Sequence, residues 1–274
     1  MDWEQRIIDF VHQLDFAAVT LGALIVALLA EMIQPLRSSQ RPGRRWVHNG
    51  ALALISFVFT HFLVTAIAIR TLEIGATWPS LSLDSVVALP LWLQVAIVFL
   101  ALECLRWAIH VLSHKVPILW RLHAIHHADP EMDASTAFRH HPLEALISVI
   151  PVTLLTLMLG ASVEALMLYR LADLSVAVFS HVNVNLPRRL EYALGWVLVT
   201  PRFHRTHHLS DRTYTDSNYG AITPWFDYLF GTYRAVAEEQ NRSAAIGLNW
   251  CDQEATRLDK LLLAPFSKPK TKNA

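Results

Sequence analysis

Long apolar runs separated by short polar stretches dominate the pattern of this chain. A bilayer-spanning helix takes roughly 20 apolar residues. The first run covers about Phe16–Ile33, the second Trp46–Ile69 and the third Val86 to about Ser113. The fourth, Leu143–Ser180, is too long for one span and reads as a hairpin of two helices turning near Gly160. Its first arm is short, so the hairpin need not cross fully. The pattern predicts an all-α, integral-membrane helical bundle of four to five membrane helices with a cytosolic helical cap. Nothing divides residues 1–274 into more than one domain, and the tail after about Pro265 (SKPKTKNA) reads as disordered.

Charge orients the bundle. Arg37, Arg41, Arg44 and Arg45 lie between the first two runs with no acidic residue among them. By the positive-inside rule this loop is cytoplasmic. The second run then leads outward to a loop holding Glu73 and Asp84. The third returns and delivers His110, His114, Lys115 and Arg121 to the cytoplasmic side. The hairpin starts and ends there, so the C-terminal third is expected on that face too. The opening segment, MDWEQRIIDF, is acidic where a secretory signal needs a basic start, and no small-residue cleavage site follows. It reads as leading into a retained membrane helix.

Composition narrows the function classes. Charged residues make up 17% of the chain, against about 25% in soluble domains, so much of the surface is expected to face something other than water. The net charge is zero and no basic stripe is interleaved with aromatics, which argues against nucleic acid as a partner. Cys104 and Cys251 form no C-x-x-C pair. Fourteen histidines stand out.

The histidines cluster at spacings that helices turn into chelating faces. His110 and His114 lie one turn apart at the inner end of the third run. His123, His126 and His127 occupy i, i+3 and i+4 of a short helix expected between Pro117 and Asp129-Pro130. His204, His207 and His208 repeat that spacing, after a Thr200-Pro201 pair suited to cap a helix. His181 ends the hairpin's second arm. Nine imidazoles exceed what one metal uses and fit two metals in a shared cage. Imidazole suits iron, copper, zinc and nickel alike, so the donor type does not choose the metal. His12, His48 and His61 lack partners at such spacing and read as ordinary interfacial or core groups.

Two further residues attract attention. Glu103 falls on the stripe of His110 and His114, roughly 10 Å deeper in the membrane by helical rise. An ionisable group at that depth orients a ligand, binds a polar end of a substrate, or pairs with Arg106. Asn185 stands at i+4 from His181. A helix continuing past His181 would aim both at one metal and leave an exchangeable position there; otherwise Asn185 caps the arm. Arg170 and Asp173 read as a structural i, i+3 pair, and Leu190–Thr200 as an interfacial helix.

Several chemistries are excluded by missing motifs: H-E-x-x-H, G-x-S-x-G and G-x-G-x-x-G are all absent. Electrons would come from a separate carrier.

From Glu103 to Tyr233 the chain resembles the fatty acid hydroxylase/sterol desaturase superfamily. The likeness rests on the three histidine strings, Ser135-Thr-Ala-Phe-Arg-His-His-Pro-Leu-Glu144, His181, Asp216-Ser-Asn-Tyr-Gly220 and Trp225-Phe-Asp-Tyr-Leu-Phe-Gly-Thr232. The resemblance implies a di-iron oxygenase that uses dioxygen and outside electrons on a lipid substrate: a fatty acyl chain, sterol, ether lipid or carotenoid. It implies a ligand role for His110, His114, His123, His126, His127, His181, His204, His207 and His208. Zinc can displace iron in such sites during aerobic expression. His141 is implied as an alternate or outer ligand. Asp216 and Asn218 are implied as orienting hydrogen-bond partners of ligands, with a loop cap the other reading of Asp216. Some fatty acid 2-hydroxylases of this superfamily carry histidine where Asn185 stands. Hydroxylation is favoured over desaturation. A membrane metal transporter is the rival class, but it would place its ligands nearer the midplane and within repeats. The particular lipid and the oligomeric state are not encoded in these strings.

Overall fold

A computed structural model describes residues 3–13, 15–38, 42–75, 89–248 and 255–267. The loop around Asp84, Cys251 and the tail from residue 268 lie outside the described residues. Among the described residues the fold is all-helical, with only two isolated bridges, Pro35 with Val184 and Leu209 with Ile246.

The apolar runs become helices close to where their pattern puts them. They are α2 (Phe16–Ile33), α3 (Pro42–Gly75), α4 (Leu91–Lys115), α6 (Glu144–Leu159) and α7 (Val163–His181). Gly43–Ile67 and Leu91–Lys115 are long and apolar enough to cross a membrane, while α2 and α6 supply shorter apolar stretches. Leu54, Phe57 and Phe62 of α3 are each about two-thirds exposed, which leaves an apolar face suited to lipid rather than water.

The hairpin turns where expected. Gly160 adopts a left-handed conformation (φ 57°) that closes α6, its N–H donating to the Thr156 and Leu157 carbonyls. Ser162 then caps α7 by accepting from the Ala165 N–H. At 19 residues α7 is shorter than the 25-residue α4. An amphipathic helix, α1 (Trp3–His12), lies across the gap. His12 Nε2 sits 3.0 Å from Glu164 Oε1 at the start of α7, and the Leu91 N–H at the start of α4 donates to Glu4 Oε1.

Short helices build the other end: α5 (Pro117–His127), α8 (Arg188–Leu194), α9 (Pro201–His207), α10 (Arg212–Thr215), α11 (Trp225–Leu229), α12 (Glu238–Ser243) and α13 (Leu258–Leu263). These do not form a detached layer. Val98 and Leu102 of α4, Ala165, Tyr169 and Val176 of α7, and Val199, Phe203 and Ile222 share one buried apolar cluster. The segment expected as an interfacial helix, Leu190–Thr200, is instead the end of the short α8 followed by a turn, with Trp196 exposed.

Candidate metal centre

Each histidine string is positioned by a local rule. His110 and His114 ride on α4. Pro117 opens α5 at its first position, and the helix ends as His126 and His127 complete its last turn. The Thr200 hydroxyl accepts from the Phe203 N–H, and Pro201 starts α9, which carries His204 and His207, with His208 as its cap. His181 is the last residue of α7.

The nine side chains converge as two rings. His110, His114, His123, His127 and His207 form one; His126, His181, His204 and His208 form the other, and within each ring the ligating atoms lie within 4.8 Å of one another. Nε2 of His110 is 3.1 Å from Nε2 of His123, which is 3.2 Å from that of His127. In the second ring, Nε2 of His181 lies 3.3 Å from His126 and 3.1 Å from His204, whose own is 3.2 Å from His208. His127 and His208 stack between the rings with centroids 4.5 Å apart.

Hydrogen bonding fixes several tautomers. Nδ1–H of His110 donates to the Tyr219 carbonyl (2.8 Å), that of His207 to Ser217 (2.6 Å) and that of His181 to Ala177 (2.7 Å). Nδ1–H of His123 donates to Glu144 Oε1 (2.7 Å). A neutral imidazole that donates at Nδ1 keeps only a lone pair at Nε2. His110 and His123 therefore direct two lone pairs at each other across 3.1 Å, which is repulsive unless a cation lies between them. Nε2 of His207 and of His114 are buried without any hydrogen-bond partner in the structure. Burial, and then the neighbouring imidazoles, hold His126, His127, His204 and His208 well below the ordinary histidine range; burial brings His207 down to about 3. Uncharged, inward-facing and otherwise unpartnered nitrogens are the donor set a metal ion requires.

The other expected residues divide. Asp216 Oδ1 lies 3.4 Å from Nδ1 of His114, while its Oδ2 accepts from Lys115 and Arg212. Asn218 does not touch an imidazole: its amide donates to the Phe203 and Arg234 carbonyls, and its oxygen accepts from the Arg234 N–H. It holds a positive φ of 57°, a conformation asparagine tolerates. It thereby fixes the turn whose flanking carbonyls, Ser217 and Tyr219, receive His207 and His110.

Glu103 is neither at the cavity wall nor paired with Arg106. Its carboxylate accepts from the Tyr169 hydroxyl, the Ile222 and Thr223 N–H groups and the Thr223 hydroxyl. It fastens α4 to α7 and to the loop before α11. Arg106 instead meets Asp173 of α7 (3.1 Å).

Asn185 is not aimed at a metal. The helix stops at His181 because Val182 turns extended (ψ 139°), and Asn185 Oδ1 accepts from Arg242. His141 also stands outside the rings, hydrogen-bonding the Leu262 carbonyl and the Leu143 N–H. Its neighbour His140 takes the inner place: it stacks on His126 (4.5 Å, 9°) and its Nδ1 lies 3.1 Å from Glu144 Oε2. Sequence reasoning passed over His140 and Glu144 as a pair, since His140 precedes α6 and the path of the chain brings the two together. Asp227 was also overlooked; it accepts from the Tyr219 and Gly220 N–H groups and so steadies the same ligand-orienting turn. His12, His48 and His61 stay apart from the rings, as their isolation in sequence implies.

A cavity of about 440 Å³ opens on the rings. His110, His123, His126, His181 and His204 face it, together with Phe57, Ile147, Val149 and Leu174.

A helical bundle that gathers nine imidazoles, eight of them buried, into two adjoining rings beside one cavity is a histidine-rich fold with two candidate metal centres. The chain belongs to the fatty acid hydroxylase family, whose model matches residues 95–232, half of the chain. The match spans all three histidine strings and His181. Human alkylglycerol monooxygenase is 31% identical over 52% of this chain and 31% of its own length. The ornithine lipid hydroxylase OlsE of Rhizobium tropici is 24% identical over 81% of this chain and 68% of its own. A putative Delta(7)-sterol-C5(6)-desaturase of Arabidopsis thaliana is 24% identical over 65% and 62%. The chain thus spans about a third of human alkylglycerol monooxygenase and about two-thirds of the other two relatives. No solved structure matches.

Proposed function

We propose that this protein is a membrane-embedded di-iron oxygenase that hydroxylates a C–H bond of a lipid. One observation carries the reading: two rings of inward-facing imidazoles border a cavity whose wall includes apolar side chains, at the end of a membrane-length helix. Membership of the fatty acid hydroxylase family and the names of the relatives support iron as the metal and lipid as the substrate class.

His110, His114, His123, His127 and His207 would hold one ion, and His126, His181, His204 and His208 the other. Iron bound there supplies dioxygen activation and removal of a substrate hydrogen. The chain's own part is to fix and enclose. Glu144 and the Ser217, Tyr219 and Ala177 carbonyls orient imidazoles through Nδ1, contacts of the kind that tune metal sites, and Asp216 stands 3.4 Å from that of His114. Phe57, Ile147, Val149 and Leu174 keep the cavity apolar and aim an alkyl segment at the rings. Hydroxylation consumes one dioxygen, two electrons and two protons, and releases one water per hydroxyl formed. The absence of a dinucleotide motif supports a separate protein as the electron donor.

Anaerobically purified protein reconstituted with ferrous iron is expected to hold about two irons per chain, as two separate donor sets require. Membrane lipids incubated with that protein, a reductase system and dioxygen should gain one oxygen by mass spectrometry. One metal or none would sink the two-centre reading. A loss of two hydrogens in place of the added oxygen would make the enzyme a desaturase.

The arginines between α2 and α3 favour a cytoplasmic metal centre and C-terminus. A reporter fused after Lys115 should therefore register cytoplasm. An outside signal there overturns the orientation and removes the site from cytosolic reductants.

A further inference from the structure

The same cavity carries a polar feature that the metal chemistry does not use. Arg106 on α4 and Arg170 on α7 both line it, and both converge on Asp173. Arg106 Nη2 is 3.1 Å from Asp173 Oδ1, and Arg170 Nη1 donates to Asp173 Oδ2 at 2.9 Å. Two guanidinium groups thus share one carboxylate. The other nearby carboxylates are committed: Glu103 to Tyr169, Ile222 and Thr223, and Glu144 to His123 and His140. A guanidinium has five N–H donors in a planar fork, so most of this donor capacity is left for a guest. The Arg170 side chain is 62% exposed despite lying at the cavity.

The depth of the cluster suits a lipid head. Segments outside the long helices pack along α4 as far out as Phe99, which meets Trp225 edge-on (6.2 Å), while Trp107 stacks on Phe230 (4.6 Å). Trp196, Trp225 and Tyr228 are exposed beside this stretch. Exposed Trp and Tyr mark the membrane–water boundary. That belt places the boundary between Phe99 and Trp107, at the level of Arg106. From Arg106 to His110 is one helical turn, about 6 Å along the axis.

Building on the oxygenase reading, we propose that Arg106 and Arg170 form the head-group site for an anionic lipid. They would grip a carboxylate or phosphate at the boundary plane, while the adjoining carbons enter the apolar part of the cavity. Because the fork and the nearer ring are about one helical turn apart, the oxidised carbon lies within a few bonds of the head and not at the far tip of the chain. A bidentate fork over a planar or tetrahedral oxyanion is the geometry arginine favours.

The test is equilibrium binding, which needs no turnover. Full-length, iron-loaded protein in a neutral detergent is titrated with dodecanoate, dodecyl phosphate and dodecanol. The wild type should bind at least one of the two anions on the order of ten-fold more tightly than the alcohol. Arg170→Gln should erase that preference while leaving dodecanol affinity and iron content unchanged. Asp173 keeps Arg106 as its partner in that variant, so the fold is preserved; Arg106→Gln serves as the second arm. Stronger binding of dodecanoate points to an acyl carboxylate, and of dodecyl phosphate to a phospholipid. Equal binding of all three by the wild type, or an anion preference that survives both substitutions, overturns the proposal. Because binding is read without catalysis, a protein that selects anions yet oxidises no lipid would refute the oxygenase reading alone.

Discussion

Replacing Glu144 with alanine is expected to weaken metal binding at the five-histidine ring by about 10- to 100-fold, the range for losing an outer partner of a ligand. Glu144 bridges the two rings: Oε1 accepts from Nδ1 of His123 at 2.7 Å, and Oε2 lies 3.1 Å from Nδ1 of His140, which stacks on His126. Burial opposes a charge on His140, but Glu144 outweighs it and raises the pKa above the ordinary histidine value. Removing the carboxylate frees the His123 ring to turn and to present the wrong nitrogen. Glu144 also sits in the first turn of α6, where an acidic side chain stabilises the helix. That smaller role predicts a shift in melting temperature with unchanged metal affinity. Anaerobic titration with ferrous iron separates the two roles, and Glu144→Gln, which keeps an accepting oxygen, should fall between wild type and alanine. Wild-type affinity at both rings in Glu144→Ala would show that the carboxylate only starts a helix.

What the sequence made legible follows the periodicity of its helices. His110 and His114 lie one turn apart, and H-x-x-H-H puts three imidazoles on one helical face, so eight of the nine ring members were readable from spacing; His181 stands alone in sequence and was marked by its place at the end of the hairpin arm and by the resemblance. The hairpin turn at Gly160 was likewise visible as a break in an overlong apolar run. Longer-range partners were not. Nothing local distinguishes His140 from His141; the chain's path after Arg139 decides which of them faces His126. Asn185 was misplaced because i, i+4 has meaning only inside a helix, and α7 ends at His181. Glu103 stands out in the sequence as an acid within an apolar run, yet its partners come from residues 169, 222 and 223. Those contacts are made by tertiary packing, on which spacing is silent.

The arginines used to orient the chain carry a second burden. Arg37 donates to the Asn241 and Ala244 carbonyls, and Arg45 is 1% exposed. Arg44 remains exposed. A basic stretch that reads as a topology signal is therefore partly structural, holding the start of α3 against the segment that follows the His126-His127 pair. Positive charge on one side of the bundle and a rigid floor beneath the second histidine string are here supplied by the same residues.

That second role leads to the largest expected loss of stability. Arg45 Nη1 donates to Asp129 Oδ2 (2.8 Å) and to the Glu131 carbonyl, and Nη2 pairs with Asp133. Asp129 also accepts from Asn49 and Thr136, and Asp133 from Trp46. Both carboxylates are buried, Asp129 completely. Burial pushes the Asp129 pKa up, yet Arg45 and Arg139 overcome it and hold the group below its ordinary value. Arg45→Met keeps the bulk and removes the charge, leaving two buried carboxylates without their shared cation. Breaking a buried ion pair in this way costs about 3–5 kcal/mol. A carboxyl depressed in the folded state stabilises above its unfolded pKa and loses that contribution as pH falls through its folded value. The gap between wild type and Arg45→Met should therefore be widest near neutrality and narrow below about pH 4, where the stranded carboxyls can take up protons. Combining Arg45→Met with Asp129→Asn and Asp133→Asn should recover part of the loss, since the two carboxylates are then neutral, and only part, since the buried Arg139 loses the attraction of Asp129. Denaturant unfolding of the detergent-solubilised protein at neutral pH and at about pH 3 compares the wild type with both variants. A penalty under about 1 kcal/mol, typical of a solvent-screened pair, or one that does not change with pH, would show that this cluster does not hold α3 to the histidine-bearing end of the fold.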